Sequence, residues 1–226
     1  MDDRPEQSDM STPDTKPDQP ILLSVNVGRP RTVQWRGRRV TSAIWKEPVD
    51  GPVTIQGVNL AGDDQADRRV HGGPDKAVYA YALEDYDWWA TTIGPQKPAT
   101  FGENLTTAAI DLNASHIGDR WHIGSATLEV SQPRQPCFKL GIRMNDDQFP
   151  GTFARAHRPG LYLRIIREGA VEAGNTIEVD PTERPAIQIA NLVQDDIAEE
   201  VLHQVVTDTR VPDSWRQAAA RALHGR

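Results

Sequence analysis

The sequence predicts a mainly β protein with some helix, a β-barrel or β-sandwich followed by a small all-helical appendage. Three observations carry this expectation. From Ile21 onward the chain is a series of short β-prone runs (ILLSVNV, TVQWRG, RVTSAIW, VTIQG, AVYAYA, WHIGSATLEVS, LYLRIIREG and NTIEV) cut by Gly and Pro, the texture of many short strands joined by turns. Within Trp121 to Val130, Gly124-Ser125 sits between WHI and ATLEV at the spacing of a tight hairpin. After Pro185 the period changes, with Ile189, Leu192, Val193, Ile197, Val201, Leu202, Val205 and Val206 at helical spacings.

In chain order, residues 1–20 (MDDRPEQSDMSTPDTKPDQP) hold four prolines and almost nothing apolar. Such a segment cannot offset the entropy of ordering, so a disordered acidic tail is expected there. The strands then run from 21 to 185, interrupted by a helix in Leu83 to Thr91 (LEDYDWWAT) and a second near Phe149 to His157, after Pro150-Gly151. Pro212 followed by Asp213 and Ser214 reads as the start of a last helix through Trp215 and Leu223. The expected organisation is a tail (1–20), a β domain (21–185) and a helical domain (186–226).

At 226 residues the chain fits one medium domain, or one domain with an appendage, better than two full domains. With 25% charged residues and a mean hydropathy of -0.57, no apolar run nears the roughly 18 residues of a membrane span. The first twenty residues hold no apolar stretch of a signal peptide, so a cytoplasmic protein without a membrane partner is expected. One cysteine excludes an internal disulfide and a zinc site built from several cysteines. The formal charge is -7, with six acids against two bases in 1–20, six against four in 186–226, and 20 against 19 between. That balanced centre argues against a general nucleic-acid binder, and any anion site must be local.

Three short stretches concentrate the chemistry. Arg68-Arg69-Val70-His71-Gly72-Gly73-Pro74-Asp75-Lys76 combines an imidazole, paired glycines and basic side chains. Adjacent glycines let backbone N–H groups approach an oxyanion such as phosphate, although Gly-Gly-Pro is also ordinary turn chemistry. In Phe101-Gly102-Glu103-Asn104-Leu105 the Asn104 amide, both donor and acceptor, could orient a ligand or satisfy buried backbone groups. Ser131-Gln132-Pro133-Arg134-Gln135-Pro136-Cys137-Phe138-Lys139 holds the single thiol. A lone cysteine often acts as a small buried hydrophobe. Prolines on both sides of Arg134 instead favour a stiff loop that displays the sulfur beside Arg134 and Lys139. His116, His122, His157, His203 and His224 fall in no clustered ligand spacing, and Asn26 either lines the same site or closes a turn.

In this order, HGGPDKAVYAY, FGENL and IGDRW..GSATLEVSQPRQPCFKL resemble the MOSC domain, named from the C-terminal domain of molybdenum-cofactor sulfurases. The tail ending in VPDSWRQAAARAL resembles the three-helix domain that follows MOSC in a bacterial branch linked to hydroxylaminopurine detoxification. The resemblance spans about Ile21 to Leu223. It implies a MOSC-type β-barrel, a molybdenum cofactor (molybdopterin with mononuclear molybdenum), and reduction of N-hydroxylated compounds by oxo transfer. By motif match, Cys137 takes the position of the family's metal-ligating, catalytic cysteine. Arg69, His71, Gly72, Gly73, Lys76, Asn104 and Arg134 are expected to cradle the cofactor. A soft thiolate suits such a centre, the pterin dithiolene supplying the other sulfurs.

No G-x-G-x-x-G flavin or nicotinamide fingerprint is present, so a separate electron-donating reductase is the expected partner, beside a small N-hydroxylated substrate. The sequence leaves a homodimer open. Two rival readings remain: a non-catalytic carrier of cofactor or sulfur on Cys137, and a β-rich protein that has lost its cofactor.

Overall fold

The computed structural model describes residues 17–64 and 72–225. The strands are β1 (Ile21–Val27), β2 (Arg31–Trp35), β3 (Arg38–Ser42), β4 (Glu47–Pro48), β5 (Val53–Gln56), β6 (Asn59–Leu60) and β7 (Val78–Ala82). They continue as β8 (Leu105–Ala108), β9 (Arg120–Ile123), β10 (Ala126–Pro133), β11 (Leu161–Arg167), β12 (Gly169–Val171) and β13 (Ile177–Asp180). The helices are α1 (Leu83–Ile93), α2 (Phe138–Met144), α3 (Phe149–Arg155), α4 (Glu199–Thr207) and α5 (Asp213–His224). The protein is thus mixed α/β around a large sheet.

That sheet has eight strands in the order β13-β9-β10-β11-β7-β8-β1-β4. Its pairings are antiparallel except β7 with β8. A parallel pair needs a crossover, and α1 lies on it. The described ladders do not form a closed ring: between β1 and the run into β13 there is one isolated bridge, Ile21 with Thr176. A three-stranded sheet (β12-β5-β6) and the separate β2-β3 hairpin complete the β structure. The expected tight turn is present, with Ile123 paired to Ala126 across Gly124-Ser125.

β7 explains the core. All five of its residues are buried, and the period of two sends them into two clusters. Val78, Ala80 and Ala82 join the aliphatic cluster that includes Leu22, Leu105, Trp121, Leu128 and Leu163. Tyr79 and Tyr81 enter an aromatic cluster with Tyr86, Trp89, Phe101, Phe149 and Phe153. There Trp89 stacks on Phe153 with centroids 5.6 Å apart, and the indole donates to Tyr81 Oη at 2.7 Å.

The C-terminal segment packs on the same aliphatic cluster through Ile187, Ile189, Leu192, Leu202, Val205, Val211 and Ala219. Backbone bonds tie its start to 113–117: Ile117 donates to Ile187 at 2.9 Å, and Ile189 to Ser115 at 2.9 Å. It holds two α-helices and a 3-10 turn at Ile189–Leu192. Sequence reading missed α2, because Pro133 and Pro136 made the stretch look like loop throughout. The chain turns helical one residue after Cys137, where no further proline removes an N–H.

Candidate active site

Lys76, Asn104, Arg134 and Cys137 lie in four separate parts of the chain, and the fold brings them onto one open cleft of about 680 Å³. β7 and β8 run side by side, so Asn104, just before β8, reaches Tyr79 on β7. Asn104 N donates to Tyr79 O at 2.8 Å, and Tyr79 N donates to Asn104 Oδ1 at 3.2 Å. β10 delivers Arg134 just past its end, and Cys137 stands half-buried at the N-terminal boundary of α2. Lys76 closes the 3-10 turn Pro74–Lys76.

Several expected residues have different placements. Arg69 and His71 lie outside the described residues. Gly72 and Gly73 are described but do not line the cleft; Gly73, at φ 97, turns the chain into the Lys76 turn. Asn104 spends its amide on the protein, its Nδ2 donating to Asn26 O at 3.3 Å and to Asp63 Oδ2 at 3.0 Å. Asn26 is fully buried and bonds Ser24 and Thr106, so it closes structure and does not line the cleft.

Arg134 lines the cleft from a buried position that the loop sequence does not reveal. Its guanidinium is 4.7 Å from the Tyr79 ring centroid and 5.4 Å from that of Phe153. Its Nη1 donates to Tyr79 Oη at 3.2 Å. Guanidinium keeps its charge at any accessible pH, so a fixed cation faces the cleft.

Sequence reading also missed Lys46 and Asp63. Both are nearly inaccessible and form an ion pair on the cleft wall. Asp63 also accepts from Gly28 N at 2.8 Å, which leaves its charge fully engaged. Burial lowers the Lys46 pKa, while Asp63 opposes the shift. Nothing in AGDDQAD distinguishes Asp63 from a solvated loop acid; only the fold pairs it. Gly102, at φ 83, completes the wall, since a Cβ there would lie 2.7 Å from Ile44 Cγ1.

Behind the wall, Glu103 is fully buried. Its Oε1 accepts from Tyr86 Oη at 2.5 Å, Ala99 N at 2.7 Å and Thr106 Oγ1 at 3.0 Å. Its Oε2 has no partner among the described residues. Burial raises its pKa despite those donors.

The cleft therefore offers Lys46, Lys76, Arg134 and Lys139 against Asp63 and Asp64, with Asp63 already paired to Lys46. That balance suits an anionic ligand. A second cleft of about 500 Å³ is lined by Gln132, Pro133 and Pro136 and shares Lys76, Gln135, Cys137 and Tyr162 with the first. Cys137 thus borders two adjoining spaces. Among the described residues no group of three or more His, Cys, Asp or Glu could hold a metal ion. A metal at Cys137 would need its other donors from a group carried with it.

The MOSC domain family model matches residues 67–178. YflK of Bacillus subtilis (strain 168) is 34% identical over 200 residues, covering 86% of this chain and 90% of the relative. The chain belongs to the MOSC domain family. A "Reductase" of Gibberella moniliformis (strain M3125 / FGSC 7600) is 35% identical over 170 residues, 73% of this chain but 30% of that protein. The crystal structure of YiiM from Geobacillus stearothermophilus shares the fold at a TM-score of 0.73 and 28% identity, covering 89% of this chain and 98% of that one. No helix among the described residues is long and apolar enough to cross a membrane.

Proposed function

We propose that this MOSC protein is a molybdenum-cofactor-dependent oxidoreductase that reduces N-hydroxylated compounds, such as hydroxylaminopurine-like bases and amidoximes, to the parent amine or amidine. The observation that carries the reading is the half-buried Cys137 on the border of two clefts, one walled by Lys46, Lys76, Arg134 and Lys139. The MOSC family is a molybdenum-cofactor-binding one, and these residues fit such a group. Cys137 would be the soft metal donor, and Lys76, Arg134 and Lys139 would face the cofactor's phosphate, Lys46 being paired to Asp63. When bound, the group would supply two-electron chemistry at a metal whose remaining donors it brings with it.

The chain's own residues then bind and orient. Arg134 is fixed by its packing on Tyr79 and Phe153, a preorganised charge that needs no rearrangement when an anion arrives. The second cleft, walled by Pro133, Pro136 and Tyr162 and adjoining the first at Cys137, would admit a planar substrate. The reaction, R–NHOH + 2e⁻ + 2H⁺ → R–NH₂ + H₂O, takes its electrons from a separate reductase. The longer relative called a reductase supports an oxidoreductase reading. We further infer a cytoplasmic protein, and closure of the sheet into a barrel, which the Ile21–Thr176 bridge supports.

The test is metal-replete protein, a chemical electron donor and N-hydroxylated adenine, compared with Cys137→Ser, which changes volume little but removes the soft donor. The variant is expected to fold normally, lose bound molybdenum and lose amine formation. Full metal and full activity in the serine variant would remove Cys137 as the ligand. Wild type that reduces no hydroxylamine, amidoxime or N-oxide, yet activates a recipient apo-enzyme, would make the protein a carrier of cofactor or sulfur instead.

A further inference from the structure

The run from Arg29 to Lys46 (RPRTVQWRGRRVTSAIWK) contains five arginines, one lysine and no acid, in a chain whose formal charge is -7. It folds into the β2-β3 hairpin, which pairs with no other strand among the described residues. Two-stranded ribbons are marginal alone, and this one is held at two points. Near its base Arg31 stacks 3.9 Å over the Trp45 ring. At its tip Arg36 makes an ion pair with Asp147, just beyond the end of α2.

The hairpin therefore extends from the cleft wall, where Ser42, Ala43 and Ile44 sit, to the far end of the helix that starts after Cys137. Phe138, which follows Cys137 at the start of that helix, is 56% exposed. Arg29, Arg38 and Arg39 are exposed and have no side-chain partner among the described residues. Arg38 and Arg39 follow one another on β3 and so present a guanidinium on each face of the ribbon. Exposed arginines and an exposed aromatic on segments that border one cleft have the composition of a protein interface.

From this arrangement we infer that the arginine hairpin and Phe138 form the docking surface for an acidic electron-carrier protein of the ferredoxin or flavodoxin class. The inference rests on the reductive reading above. Each turnover consumes two electrons, and the described chain holds one thiol and no second redox group, so a donor must reach the mouth of this cleft. A cationic mouth on an otherwise acidic protein orients an acidic donor by its field as well as by contact. A nucleic acid is the less favoured occupant, because it would bring no electrons to a cleft whose proposed reaction consumes two per turnover.

The test compares metal-replete wild type with the Arg29→Glu/Arg38→Glu/Arg39→Glu variant, using N-hydroxylated adenine and two reductants, reduced [2Fe–2S] ferredoxin and reduced methyl viologen. At subsaturating ferredoxin the variant should turn over at least about tenfold more slowly, with a flatter dependence on salt. With viologen the two proteins should be equal. Equal ferredoxin-driven rates and equal salt dependence would overturn the proposal, and so would an equal loss with viologen, which would place these arginines in the site itself. If wild type shows no turnover with viologen, the reductive reading fails by itself. Titration of wild type and variant with oxidised ferredoxin and flavodoxin at low and high salt then decides the docking surface alone. Salt-sensitive binding that the variant loses sustains it. No such binding by either carrier, or tighter binding of a single-stranded oligonucleotide, refutes it.

Discussion

Glu103 and Asn104 are adjacent, and each is buried for a different reason. Asn104 satisfies the backbone of β7 and holds Asp63 against the cleft. Glu103 gathers three donors on one oxygen and leaves the other bare, a costly state for a charge in a dry interior. Its carboxyl therefore binds a proton more readily in the fold than the ordinary value of 4.5. Between that value and the raised one, the native state holds more protons than the unfolded chain, so this group's contribution to stability is lost as pH rises. Glu103→Gln keeps an oxygen for the three donors and carries no charge. Urea unfolding from about pH 4 to about pH 8 should show the variant gaining on wild type as pH increases. A gap that stays flat or shrinks would mean that Glu103 is not held protonated.

At the scale of elements, the helical tail reaches the site through a short relay. Trp215 on α5 donates to Gln132 Oε1 at 2.8 Å, and Gln132 Nε2 donates to Asp75 O at 3.0 Å, one residue from Lys76. Arg164 on β11 runs parallel to it, bonding Asp75 at 2.5 Å, Glu129 at 3.0 Å and Arg210 O at 2.7 Å. The tail thus braces the turn that carries Lys76. Trp215→Phe keeps an aromatic ring but removes the indole N–H and strands the Gln132 oxygen, costing about 1–3 kcal/mol. Loaded protein carrying this change should lose molybdenum faster on dialysis, while the cofactor-free form should lose only a few degrees of melting temperature. Unchanged metal retention would show the brace to be structural only.

For the whole molecule, the decisive feature is that sheet and tail share one aliphatic cluster. Removing residues 186–226 would strip Ile187, Ile189, Leu202, Val205 and Val211 from that cluster and expose the apolar side chains left behind. Each such buried side chain is worth about 1.5–3 kcal/mol, comparable in sum to the whole stability of a domain. A 1–185 chain is therefore expected to aggregate or unfold at low temperature, read by light scattering and thermal unfolding. A soluble, cooperative and active truncation would establish the tail as an independent unit.

The sequence by itself determined the strand texture, the Gly124-Ser125 hairpin, the helices at Leu83 and Pro212, and the family, because local turn chemistry and short motifs are written in neighbouring residues. It also marked Cys137, Lys76, Arg134 and Asn104 by their motifs. Only the tertiary structure decided that Arg134 is buried under Tyr79 and Phe153, that Asp63 and Lys46 pair across seventeen residues on the cleft wall, and that the tail presses on the Lys76 turn. Those facts depend on contacts between segments distant in the chain, where a residue's charge and burial are set by what packs against it, and no local pattern encodes that neighbour.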